Sequence, residues 1–85
     1  MAGLQVTFNV IGGENSPTVN IKTDLLKEHV AQALVKRVKE NQFVTVPNAR
    51  GTGVQTVLTD KVLGVRVTEL PENRTTATLD DIIFD

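Results

Sequence analysis

A single stretch of helical periodicity lies between segments that alternate apolar and polar residues, and this arrangement constrains the fold most strongly. Apolar side chains recur every three to four positions in residues 24–41, at Leu26, Val30, Ala31, Leu34, Val35 and Val38. This spacing predicts one amphipathic helix of the kind that packs on a sheet. Thr23 or Asp24 is predicted to cap its first turn, and Asn41 to end it.

Five flanking segments predict β-strands, because they are short, rich in β-branched residues and bounded by turn residues. They are Leu4–Val10, Thr18–Lys22, Phe43–Val46, Val54–Leu58 and Val62–Leu70. In the last strand, Leu63, Val65 and Val67 are predicted to share one face. The short connections in the second half of the chain favour an antiparallel meander.

The expected fold is therefore α+β, with one amphipathic helix packed on a mainly antiparallel sheet of about four to five strands. The element order is β(β)αβββ, followed by a C-terminal tail or strand. The length of 85 residues leaves room for one domain, assigned to residues 1–74, with residues 75–85 as an acidic-apolar tail or edge strand. The absence of Cys and of a long apolar run favours a cytoplasmic protein without membrane partners.

Side chains able to perform catalysis are few. The chain has one His, His29, which falls on the polar side of the predicted helix. Its one Ser, Ser16, precedes Pro17 in a loop. No spacing typical of a metal site is present, so we expect a protein that is not an enzyme and needs no cofactor. An enzyme whose site is shared between subunits is a weaker alternative.

Charge is distributed unevenly along the chain. Residues 22–66 hold eight basic and four acidic side chains, whereas residues 67–85 hold one basic and five acidic. Clustered Lys and Arg side chains can neutralise phosphates, so the basic middle makes a nucleic-acid-binding or regulatory protein one hypothesis, with the acidic end as modulator. The candidate contacts for nucleic acid or another anion are Lys36, Arg37, Lys39, Arg50, Lys61 and Arg66.

The C-terminal segment combines acidic residues with a terminal apolar cluster. Its candidate contacts for a protein partner or a second copy are Leu79, Asp80, Asp81, Ile82, Ile83 and Phe84. The tip resembles the acidic, Phe-ended tail by which bacterial single-stranded-DNA-binding proteins recruit partners, although here Asp85 follows the Phe that ends the chain in that family. The other interpretation is a closing strand that packs on the body of the chain or on a neighbouring copy.

A small core with exposed strand edges favours association, since an edge strand is satisfied by pairing with another chain. The leading functional hypothesis is therefore a non-enzymatic, self-associating interaction or structural module, and nucleic-acid binding is the alternative.

Overall fold

The structure is a computed structural model that describes residues 2–12, 16–48 and 52–85. In this part of the chain it contains one helix and seven strands, which confirms the α+β class. The elements in chain order are β1 (Ala2–Val10), β2 (Thr18–Thr23), α1 (Lys27–Glu40), β3 (Phe43–Pro47), β4 (Val54–Leu58), β5 (Val62–Leu70), β6 (Ala77–Thr78) and β7 (Ile83–Phe84).

The strands form two sheets, so the predicted arrangement in a single sheet is wrong. The first sheet has the order β5-β1-β2-β6 and the second sheet has the order β4-β3-β7. β4 pairs with β3, whereas the next strand, β5, pairs with β1. A 3-10 turn at Thr59–Lys61 carries the chain from one sheet to the other. The buried Thr59 holds this turn, because its amide donates to Gln42 O and its hydroxyl donates to Asn41 O.

The core lies between the inner sides of the two sheets and one face of α1. Every buried apolar side chain in the described residues belongs to one cluster, formed by Leu4, Val6, Phe8, Val19, Ile21, Val30, Leu34, Val44, Val46 and Ile82. β1 contributes three of these residues because it lies between β2 and β5 and alternates inward and outward along its length.

Leu63 does not share a face with Val65 and Val67, contrary to the sequence prediction. The register between β1 and β5 shifts at Asn9 and Val10, where Val10 pairs with Val62. This irregularity inserts one extra residue into β5 and reverses the direction of the following side chains. Leu63 is consequently 73% exposed, while Val65 and Val67 pack against the core.

The helix begins later than the sequence predicts. α1 starts at Lys27, and its N-cap residue is Leu26, which provides no side-chain capping hydrogen bond. Thr23 instead accepts a hydrogen bond from the amide of Leu25, at 3.1 Å, so the preceding residues form a separate turn. Asn41 ends the helix as predicted, with its side-chain amide donating to Arg37 O at 2.8 Å.

The C-terminal segment crosses from the first sheet to the second. β6 lies parallel to β2, and β7 lies antiparallel to β3. The start of this segment passes β1 so closely that a Cβ added at Gly3 would lie 2.9 Å from Thr75 Cγ2. Between the two short strands, Ile82 is buried in the core, which attaches the segment to the body of the chain.

Candidate interaction surface

Successive side chains of β3 alternate between a buried side and a more exposed side. Val44 and Val46 are almost completely buried against the core. Phe43, Thr45 and Pro47 alternate with them and therefore point away from the core. A strand of this kind normally carries polar residues on its outer side, but β3 carries an aromatic ring, a threonine and a proline there.

The pairing register extends this surface onto both neighbouring strands. Phe43 lies opposite Leu58, Pro47 lies opposite Val54, and Thr45 lies between Thr56 and Ile83. We call the outward side of the second sheet the outer face; it consists of Phe43, Thr45, Pro47, Val54, Thr56, Leu58 and Ile83. None of these seven strand residues is charged. Asp85, which follows β7, exchanges two backbone hydrogen bonds with Phe43 and so places one acidic residue at the border of this face. The only side-chain hydrogen bond recorded between the seven residues joins the hydroxyls of Thr45 and Thr56, at 2.9 Å.

Large apolar side chains of the outer face are open to solvent. The exposed fraction is 70% for Val54, 58% for Ile83, 44% for Leu58 and 40% for Phe43. Scattered apolar residues on a surface need no explanation, but a contiguous apolar patch marks an interaction site. These four side chains lie on neighbouring strands of one sheet, so the outer face is such a patch.

The outward side of the first sheet differs from the outer face. Across β1 and β2 its side chains are polar and bond to one another. Gln5 donates to Asn20 at 3.3 Å, and the hydroxyls of Thr7 and Thr18 are 3.2 Å apart. Arg66 lies opposite Thr7 on the same side. The contrast between the two sheets indicates that the apolar character of the outer face is a local property and not a general feature of the surface.

A hollow adjoins the outer face at the corner formed by Phe43 and Leu58. It lies where the end of α1 meets the 3-10 turn and the start of β5, and its volume is about 650 Å³. Its lining residues are Val38, Lys39, Asn41, Gln42, Phe43, Leu58, Thr59, Asp60 and Val62. Such a volume accommodates one or more side chains of a partner. The hollow therefore extends the candidate surface from a flat sheet to a sheet with a recess beside it.

The predicted anion contacts lie on several elements. Lys36, Arg37 and Lys39 are exposed near the end of α1, and Lys36 and Lys39 flank one shallow groove. Lys61 is in the 3-10 turn after β4, and Arg66 points away from the core on the first sheet. Arg50 lies outside the described residues. The structure thus brings Lys36 and Lys39 together and places Arg66 on a different surface.

Arg37 contacts one of the predicted partner residues. Its guanidinium carbon lies 5.0 Å from the ring centroid of Phe84, a cation–π arrangement. Because Arg37 is exposed, we expect Arg37→Gln to lower the free energy of unfolding by about 0.5–1 kcal/mol. Urea denaturation measures this change, with Lys36→Gln as the matched control on the same helix. Equal losses in the two variants would contradict a specific role of the ring contact.

The predicted partner residues of the C-terminal segment divide into internal and external ones. Ile82 is buried, and Leu79 and Phe84 pack against the core, where the Phe84 ring meets Phe8 edge-on at 6.4 Å. The carboxylate of Asp81 accepts a hydrogen bond from the amide of Thr78 at 2.8 Å, within a 3-10 turn. Ile83 belongs to the outer face, and Asp80 is exposed.

Most of the outer face is absent from the candidates that the sequence suggests. The available signal was the alternation of β3 and β4, in which the inward and the outward positions are all apolar or Thr except for Gln55. Such a pattern is typical of a strand that is covered on both sides. Alternation of this kind identifies a strand but does not specify what covers its second side.

In the described residues, no group of three or more His, Asp or Glu side chains is placed to hold a metal ion. No helix in the described part of the chain is long and apolar enough to cross a membrane. No family model, curated protein or solved structure matches this chain. A functional proposal consequently rests on the geometry of the outer face.

Proposed function

We propose that this chain is a non-enzymatic interaction module that assembles with copies of itself through the outer face of the second sheet. The observation that carries this proposal is the uncharged, apolar character of that face, with Val54, Leu58 and Ile83 open to solvent. Covering these side chains removes apolar surface from water, which is the main favourable contribution to protein association.

A second copy fits this face better than a charged partner does. The seven strand residues of the outer face carry no charge, and the charged residues that border it are of both signs, Lys39 and Asp60 in the hollow and Asp85 beside Phe43, so they select neither an acidic nor a basic surface. An identical face is matched to them in polarity, and symmetric interfaces in homo-oligomers pair the same patch on both copies. The module therefore requires no other component in order to cover its apolar side.

Association is expected to depend on Leu58. Leu58→Lys places an ammonium group among apolar side chains, and we expect it to raise the dissociation constant at least about thirtyfold. Sedimentation equilibrium over a range of protein concentrations measures this change. Leu63→Lys is the control, because Leu63 is more exposed than Leu58 but lies outside the outer face.

Two results would count against the proposal. One is a wild-type chain that stays monomeric at high micromolar concentration. The other is an equal loss of association in the Leu58→Lys and Leu63→Lys variants. Equal losses would indicate nonspecific hydrophobic association instead of a defined interface.

Nucleic-acid binding is the alternative that the basic residues support. Among the described basic residues, Lys36 and Lys39 share a groove, whereas Arg66 lies on the outer side of the first sheet. A phosphate backbone is bound by several clustered cations, so this distribution favours association over nucleic-acid binding. Salt-sensitive binding of labelled single-stranded DNA or RNA that is lost in the Lys36→Gln/Lys39→Gln variant would reverse this preference.

A further inference from the structure

We propose that two copies join edge to edge through β4, with Thr56 of one copy opposite Thr56 of the other. This inference rests on the proposed self-association and specifies how the strands meet. β4 forms one edge of the second sheet, with β3 on its inner flank. The question is which of its backbone groups point outward and whether a second β4 can satisfy them.

The register of β3 and β4 identifies the outward groups. The amide of Thr59 donates to Gln42 O, and the amide of Asn48 donates to Gly53 O. Hydrogen-bonded pairs alternate with non-bonded pairs along an antiparallel ladder, so Gln55 and Val57 face β3. The N–H and C=O groups of Val54, Thr56 and Leu58 consequently point away from β3, toward the open edge.

This edge is complementary to itself. Thr56 is the middle residue of the five-residue strand β4. In an antiparallel pair with Thr56 opposite Thr56, Val54 of each copy lies opposite Leu58 of the other. All three residue pairs then have both backbone groups directed at the partner, and each pair can exchange two hydrogen bonds. A twofold axis through Thr56 therefore satisfies the whole edge without a shift in register.

The side chains of β4 are also compatible with this antiparallel pairing. Cross-strand neighbours on one face of an antiparallel pair lie in contact, so Val54 of one copy packs against Leu58 of the other. β4 carries no charged residue, although charged residues are a common means of protecting an edge strand from pairing. The two outer faces then form one continuous apolar face across the junction, which two such dimers can cover by stacking.

The decisive variant is Thr56→Pro, with Thr56→Ala as the matched control. Proline removes the outward N–H and places its ring at the junction, but it leaves the ladder between β4 and β3 intact because Thr56 does not donate to β3. Both variants lose the hydrogen bond between the Thr56 and Thr45 hydroxyls. We expect Thr56→Pro to raise the dissociation constant at least about thirtyfold, and Thr56→Ala to change it less than about threefold.

Cross-linking tests the register independently. The chain has no Cys, so each substitution introduces a single thiol. The Cα atoms of a hydrogen-bonded antiparallel pair are about 5.5 Å apart, within the range of a disulfide. We expect Thr56→Cys to form a disulfide-linked dimer under mild oxidation. Val54→Cys is the control, because in this register its two copies are about 14 Å apart.

Amide hydrogen exchange tests the pairing in the unmodified chain. At high concentration the amides of Val54, Thr56 and Leu58 should exchange slowly, and dilution should release them. The amides of Gln55 and Val57 should stay protected at both concentrations. The same two amides, measured in the Thr56→Pro variant, show whether that variant is folded.

The outcomes of these experiments distinguish edge pairing from self-association by another route. Disulfide formation by Thr56→Cys with weakened association in Thr56→Pro supports edge pairing. A wild-type chain that associates normally while Thr56→Cys stays unlinked and Thr56→Pro behaves like Thr56→Ala overturns edge pairing and leaves the proposed function standing. A strictly monomeric wild-type chain overturns both.

Discussion

Phe8→Ala is expected to lower the free energy of unfolding by about 3–5 kcal/mol. The Phe8 side chain, near the end of β1, is completely buried, and its ring packs edge-on against Phe84 of β7. Truncation removes the largest fully buried side chain of the described core and leaves a cavity that the two sheets can close only in part. Because small proteins have total stabilities of about 5–15 kcal/mol, this loss removes a large fraction of the stability of the chain and should lower the urea midpoint strongly.

Phe43→Ala is the matched control, since it makes the same chemical change on the outer face. The Phe43 ring is substantially exposed, so we expect the free energy of unfolding to fall by less than about 1 kcal/mol. Urea denaturation followed by circular dichroism measures both variants, at a concentration below the midpoint of association. Similar losses in the two variants would contradict the placement of Phe8 in the core and Phe43 outside it.

Ile82→Asp is expected to abolish cooperative folding. The Ile82 side chain is only 3% exposed and packs in the cluster that both sheets share. An aspartate there would bury a carboxylate with no cation beside it, which costs more than about 4 kcal/mol. The loss should appear as a low-amplitude, non-cooperative unfolding transition. In the NMR spectrum it should appear as a narrow range of amide proton chemical shifts.

Ile83→Asp provides an unusually close control, because it makes the same change in the next residue of the chain. Ile83 points outward from β7 and is 58% exposed. We expect the monomer to remain folded, with a change in unfolding free energy below about 1 kcal/mol. Self-association should weaken, because Ile83 belongs to the outer face. A folded Ile82→Asp variant, or an unfolded Ile83→Asp variant, would show that the C-terminal segment is not attached through Ile82.

The local elements of this fold can be read from the sequence. The apolar stripe of residues 24–41 identified the helix face, and Val30 and Leu34 of that stripe are buried. Alternation of apolar and polar residues predicted a strand at Leu4–Val10, and in β1 the structure buries the apolar Leu4, Val6 and Phe8. Periodicity depends on residues a few positions apart, so it can be recognised in the sequence without knowledge of the rest of the fold.

The division of the strands between two sheets could not be read in this way. Short connections favour pairing of β4 with β5, but the buried Thr59 turns the chain so that β5 pairs with β1. The bonds that hold this turn reach back to Asn41 and Gln42, which are distant in sequence. Strand partners are chosen by such long-range contacts, and a pattern of apolar residues does not specify them.

The candidate surface illustrates the same limit. The sequence identified β3, β4 and the apolar C-terminal tip as separate segments. Only the register places Thr45 between Thr56 and Ile83, and so joins one residue from each segment in a single face. The sequence also located basic residues in the middle of the chain, but their distribution over helix, turn and sheet follows from the fold.

The sequence by itself determined the α+β class, the buried face of the helix and the alternation within each strand, because these depend on residues a few positions apart. The tertiary structure decided which strands pair, that Ile82 lies inside while Ile83 lies outside, and that apolar side chains from three strands meet on one uncharged face. The physical reason is that side-chain direction is set by local backbone geometry, whereas exposure is set by what packs on each side.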